Sequence, residues 1–213
     1  MSQNVVAIDG PSGTGKTTVS RLVAARLGLP YLDTGAFYRA ATHAAINAGI
    51  DIDDGEAIAA LLAGLRLEQE HNRTFINEVE VSEAIRSAEV TSKVSVVSAH
   101  PEVRAILVDR QREWVESHDG RAVVEGRDIG SVVFPDAEVK IYLDASAPVR
   151  ADRRAIQDGD DPETVLESIR QRDHIDSTRT TSPLTVADDA RVIDTSDLNL
   201  DEVVDLIVDL VSD

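Results

Sequence analysis

The run Gly10-Pro11-Ser12-Gly13-Thr14-Gly15-Lys16-Thr17 carries the clearest chemistry in this sequence. It satisfies G-x-x-x-x-G-K-[ST], with an apolar run before it and helical spacing after it. Glycines let a backbone curl until its N–H groups point inward, and a helix start adds partial positive charge. Such a cradle suits a polyphosphate. Gly10, Pro11, Ser12, Gly13, Thr14, Gly15, Lys16, Thr17 and Thr18 are therefore the candidate contacts of ATP. Lys16 is expected to reach the β- and γ-phosphates, and the Thr17 hydroxyl to meet Mg²⁺. Asp33, ending an apolar strand near the loop, is a candidate for the outer shell of that cation.

A second cluster is basic. Arg150, Arg153 and Arg154 stand at i, i+3 and i+4 and share one helix face. Such a face is either solvated, with ion pairs to Asp152 or Asp158, or a lid that closes on the phosphates of ATP. The lid is the favoured reading, with Arg153 and Arg154 making the contacts.

The elements that must position these groups follow from periodicity. Asn4–Asp9, Tyr31–Asp33, Ala122–Glu125, Val139–Leu143 and Arg191–Asp194 read as five short strands. Lys16–Leu27 reads as a helix stopped by Gly28 and Pro30. Another runs from about Gly35 to Ala48. This strand–helix alternation predicts an α/β fold with a parallel sheet of the P-loop kind. Residues 51–100 read differently: a short helix capped by Asp54, strands at 65–68 and 74–81 turning at Asn72, and a helix from Glu83 to Ser98. They are expected to form an insertion within one domain spanning 1–213, whose core comprises about 1–50, 101–149 and 180–213. Further helices are expected at 102–116, about 148–157, about 162–173 and 200–211. The segment 150–179 forms the lid region.

Composition narrows the classes. The formal net charge is −18 over 213 residues, which argues against general nucleic-acid binding. Anion sites must then be local concentrations of arginine, lysine and backbone N–H. The chain has no cysteine, which excludes disulfides and thiolate metal sites. It has no basic leader and no apolar run near 20 residues, so no membrane association and a cytoplasmic location are expected. The loop alone leaves three classes open. A GTP-binding switch would need Asn-Lys-x-Asp, yet the three lysines are followed by Thr17, Val94 and Ile141. A mechanical ATPase would need a strand ending in a metal-binding carboxylate, for which Asp33 and Glu125 are weak candidates. A kinase for a small acceptor fits the downstream arginines.

Several segments together resemble the bacterial cytidylate kinases, which belong to the P-loop nucleoside monophosphate kinases. They are Ile8–Lys16, Leu32–Arg39, Ile85-Arg86, Ser95 with Pro101–Arg104, Glu125–Gly130 and Val133–Ala137. Arg172-Asp173, Asp176, Arg179 and Pro183-Leu184 complete the order. The resemblance implies a five-stranded parallel core, a nucleotide-binding insertion and a mobile lid. It implies phosphoryl transfer from ATP with Mg²⁺ to CMP or dCMP by a monomer. It assigns Thr34, Arg39, Arg127 and Arg179 to the CMP phosphate. Asp128 and Ser95 fall to the cytosine amino group, Arg104 to N3 and O2, and Asp176 and Arg172 to the ribose. Lys16, Arg127, Arg153, Arg154 and Arg179 are the implied catalytic set. An alternative role for Asp128 is Mg²⁺ ligation or pairing with Arg127. The family often has serine where this chain has Thr34, which keeps the hydroxyl. The lid is short, and its turn Asp158-Gly159-Asp160-Asp161 is acidic.

Overall fold

The computed structural model describes residues 4–70, 72–178 and 182–212. The chain divides into two compact units. The first comprises residues 1–31 and 115–213, and the second residues 32–114.

The first unit is organised by a five-stranded sheet. Its strands are β1 (Asn4–Asp9), β2 (Tyr31–Asp33, which begins at the last residue of the unit's first segment and runs on past it), β6 (Arg121–Glu125), β7 (Val139–Asp144) and β8 (Arg191–Asp194), ordered β2-β6-β1-β7-β8. All five fall where the apolar runs predict. β1 is parallel to β6 and β7, and β7 is parallel to β8. A parallel strand covered on both faces needs a continuous apolar run, and Val5-Val6-Ala7-Ile8 is almost wholly buried. Helices α1 (Lys16–Leu27) and α8 (Leu200–Ser212) supply Val19, Val23, Val203, Val204 and Ile207 to one core with Ile8, Val123, Ile141 and Leu143. Each fully buried aliphatic side chain of this size contributes roughly 1.5–3 kcal/mol. Parallel register brings Ile8 opposite Glu125 and Asp9 opposite Tyr142. The loops after β1, β6 and β7 thus leave from one sheet edge, the edge where open α/β sheets hold ligands.

Helices α6 (Ala147–Asp158) and α7 (Pro162–Thr178) pack through Ala151, Ala155, Val165 and Ile169. The acidic turn between them is a pair of helix ends. Gly159 ends α6 with φ 77, and the Asp161 carboxylate accepts from the Thr164 N–H at 2.9 Å. Two full helices fit a short segment because these caps leave only three residues between the end of one and the start of the other.

The second unit holds α2 (Thr34–Asn47), α3 (Gly55–Ala63), α4 (Ala88–Val97) and most of α5 (Pro101–Glu116). Asp54 caps α3 as expected, accepting from Ala57 N–H at 2.9 Å. The sheet here has three antiparallel strands: β3 (Leu67–Glu70), β4 (Arg73–Ile76) and β5 (Val79–Glu80). The single strand expected at 74–81 is two. Asn77 and Glu78 both take positive φ, 49 and 69, and turn the chain back on itself. The single helix expected at 83–98 is also broken. Ala84–Arg86 forms a 3₁₀ turn, then extended Ser87 caps α4 by accepting from Val90 N–H. A serine that caps cannot also continue a helix.

Candidate active site

β1 ends at Asp9 and the chain turns sharply at Gly10, where φ is 147. A Cβ there would sit 2.1 Å from the Leu143 carbonyl oxygen of β7, so only glycine fits. Gly15, φ 85, starts α1 with no side-chain cap, which leaves the first-turn N–H groups for an anion. The loop is braced from within. Thr14 Oγ1 donates to the Pro11 carbonyl at 3.2 Å, and Lys16 Nζ donates to the same oxygen at 2.7 Å. Thr17 follows Lys16 in the first turn of α1.

Charge is concentrated around this loop. Burial first, and then the Arg127 guanidinium, pull the Lys16 amine down to about 7. Glu125 and Asp9 act the other way, and Arg172 adds to the depression. Lys16, Arg127 and Arg172 therefore form one cationic group, the local concentration that so acidic a chain needs to hold anions. Glu125 ends β6 and accepts from the Tyr31 hydroxyl at 2.5 Å. Asp9 is 6% exposed, and its two oxygens accept from the N–H groups of Ile129 and Gly130, each at 2.8 Å. Burial raises its carboxyl to about 6 against those two bonds. Through them Asp9 anchors a single π-helical turn, Ile129–Val133, directly after Arg127 and Asp128. π-turns often occur at functional sites.

Arg127 Nη1 lies 3.1 Å from Asp176 Oδ2, without the alignment of a hydrogen bond. Asp176, expected at the ribose, is thus an ion-pair partner of Arg127. Asp128, at 4% exposure, borders the π-turn and adds to the upward push on Asp9. The three arginines of α6 do not act as one face. Arg150 is buried, bonded to the Ala145 and Ser12 carbonyls and to Asp173. Arg153 donates to Thr195 Oγ1 at 3.0 Å and to its carbonyl at 2.5 Å. Arg154 is half-buried. Neither Arg150 nor Arg153 takes Asp152 as its ion-pair partner in the contacts above, and the side chain of Asp158 lies outside those described. Arg179 lies outside the described residues.

The second unit places its own set. Asp33 caps α2 by accepting from Ala36 N–H at 3.1 Å, and its other oxygen stands 3.7 Å from Arg86. Thr34 opens α2 and is buried. Arg39, one turn on, donates to the Ile85 carbonyl at 3.2 Å and to Thr91 Oγ1 at 2.9 Å. Ser95 is buried on α4. Arg104 is 4% exposed on α5, with its guanidinium 5.5 Å from the centre of the Tyr38 ring and Nη1 3.4 Å from the Ser98 carbonyl. A buried guanidinium stacked on an aromatic face is pre-organised for planar recognition.

Periodicity missed Asp9 because it reads as the last residue of an apolar strand. The only available signal was a carboxylate at the strand end beside the loop glycine. The buried duty of Arg150 was hidden by the regular spacing of its neighbours.

The family model "Cytidylate kinase" matches residues 6–213. A cytidylate kinase of Mycobacterium leprae (strain Br4923) is 51% identical over 216 residues, covering 99% of this chain and 96% of its own. One from Shouchella clausii (strain KSM-K16) is 46% identical, covering 98% and 96%. Among solved structures, an uncharacterized protein from Eubacterium ventriosum superposes with a TM-score of 0.58 at 12% identity, covering 99% of this chain and 98% of that one. That likeness concerns the fold alone. With half of its residues shared along nearly its whole length, this chain belongs to the cytidylate kinase family.

Proposed function

We propose that the chain transfers the γ-phosphoryl group of ATP to CMP or dCMP, releasing ADP and CDP or dCDP. The observation that carries this reading is the company Lys16 keeps. The loop lysine shares its electrostatic surroundings with Arg127 and Arg172, both from segments resembling the family's acceptor-binding positions. A hydrolytic switch has no use for acceptor-reading arginines beside its donor lysine.

The chemistry is positioning and charge neutralisation. The N–H groups of Gly13 to Lys16 and the Lys16 amine take the donor phosphates. Arg127, Arg179 and Arg39, with the Thr34 hydroxyl, take the acceptor phosphate, because guanidinium binds phosphate through two parallel bonds. Arg153 and Arg154 act on the transferring group. Asp128 and Ser95 accept from the cytosine amino group, Arg104 donates to N3 and O2, and Arg172 and Asp176 serve the ribose. Thr17 offers a hard hydroxyl oxygen in the first helical turn, which fits Mg²⁺ held mainly by nucleotide phosphates. Bound there, the cation would neutralise the β- and γ-oxygens. Asp33 is kept as its outer-shell candidate. The chain is taken to work as a cytoplasmic monomer.

The test is ADP release from ATP against a panel of CMP, dCMP, UMP, AMP and no acceptor. Release should depend on acceptor and be fastest with CMP or dCMP. Equal release without acceptor would replace this reading with an acceptor-free NTPase.

A further inference from the structure

We propose that Asp173 is a positioning residue for the phosphate loop, acting through Arg150. Arg150 is 5% exposed, and all three of its nitrogens are engaged. Nε donates to the Ala145 carbonyl at 2.9 Å, and Nη1 donates to the Ser12 carbonyl at 2.9 Å. The Asp173 carboxylate takes both terminal nitrogens, Nη1 at 3.2 Å and Nη2 at 2.6 Å. The arginine also packs under the loop, since a Cβ on Gly13 would meet its Cβ at 3.0 Å.

The Ser12 contact has a geometric consequence. In a trans peptide the carbonyl and the following N–H point in opposite directions. Drawing the Ser12 oxygen outward onto Arg150 therefore turns the Gly13 N–H inward, toward the concave side of the loop. Arg150 sets the direction of one phosphate-binding donor without touching phosphate. Arginine alone would not hold that pose, because its side chain has many rotamers. The two-pronged carboxylate of Asp173 locks the guanidinium plane. Asp173 stands three residues before Asp176, the ion-pair partner of Arg127, so one face of α7 steadies both the loop and that arginine.

This inference rests on the kinase reading for its nucleotide, so the primary readout is ATP binding without acceptor. Asp173→Asn keeps size and loses the charge and one acceptor. It should weaken binding of a fluorescent ATP analogue by about tenfold, as expected when a buried charged group loses its partner. The KM for ATP should rise in step, with kcat and the KM for CMP nearly unchanged, because a loop N–H serves ground and transition states alike. Arg150→Met should do the same. The double variant should be no worse than Arg150→Met alone, since Asp173 acts only through Arg150. Arg150→Lys keeps the charge, cannot span all three acceptors, and should show the same ATP-specific loss if the methionine variant unfolds. Unchanged ATP affinity in Asp173→Asn, or multiplying effects in the double variant, would overturn the proposal. Wild-type chain that binds ATP yet ignores CMP would instead overturn the kinase reading.

Discussion

The two units hold their functional groups in different ways. In the first, the key geometry is backbone geometry: Gly10 pressed against Leu143, an uncapped α1, the Ile129 and Gly130 N–H groups held by Asp9, and the Ser12 carbonyl held by Arg150. In the second, the proposed contacts are side chains on helices, such as Arg39 on α2, Ser95 on α4 and Arg104 on α5. A backbone site tolerates few alternatives, because a single Cβ destroys it. A side-chain site depends on which rotamer each residue keeps, and its identity can drift with specificity. Fixed backbone N–H groups suit the phosphates common to all nucleotides; side chains suit the features that tell nucleotides apart.

Substitutions can break or sharpen this contrast. The largest effect is expected in the first unit, at Lys16→Ala. Loss of a charge acting on the transferring phosphates should lower kcat on the order of 10²–10³, with the thermal unfolding midpoint preserved. Near-normal turnover in a folded variant would remove the loop from the mechanism. An intermediate effect is expected at the groups proposed to read the base. Arg104→Met should raise the KM for CMP about tenfold or more while leaving that for ATP alone, as a buried polar ligand edge loses its partner. Asp128→Ala should hurt CMP more than UMP and so narrow the gap between them. A parallel fall for CMP, dCMP and UMP would make Asp128 a structural carboxylate. The smallest effect belongs to Ser87→Ala, which removes the cap of α4. Urea unfolding should show a loss of about 1 kcal/mol, with kcat unchanged. A large change in kcat would mean that α4 does more than carry Thr91 and Ser95.

How much the sequence discloses follows the same divide. The five strands and the loop were legible because a buried parallel strand demands an unbroken apolar run and the loop demands glycine at fixed spacing. The hairpin after Asn72 was read with one strand too few, since nothing in Thr74–Val81 but Asn77 warns of a turn that needs positive φ twice. Ser87 looked like a tolerable helix residue, and only its neighbours reveal it as a cap. The arginines of α6 were grouped by spacing, yet spacing is blind to what lies opposite. Arg150 meets a carboxylate from α7 more than twenty positions away, and Arg153 meets Thr195. Long-range partners of this kind leave no local trace.

The scarcity of lysine gives the loop an unusual chemical exposure. The chain has three, and two of them donate to carboxylates: Lys93 to Glu89 and Lys140 to Asp189. Burial, with the Arg127 guanidinium, pulls Lys16 down to about 7, which raises the share of its amines that are unprotonated near neutral pH. Acylating reagents attack only the neutral amine. Among the lysines, a mild electrophile near pH 7 should therefore mark Lys16 first and silence the enzyme with a single adduct. Bound triphosphate should protect against this twice over, by covering the amine and by drawing it back to the charged form.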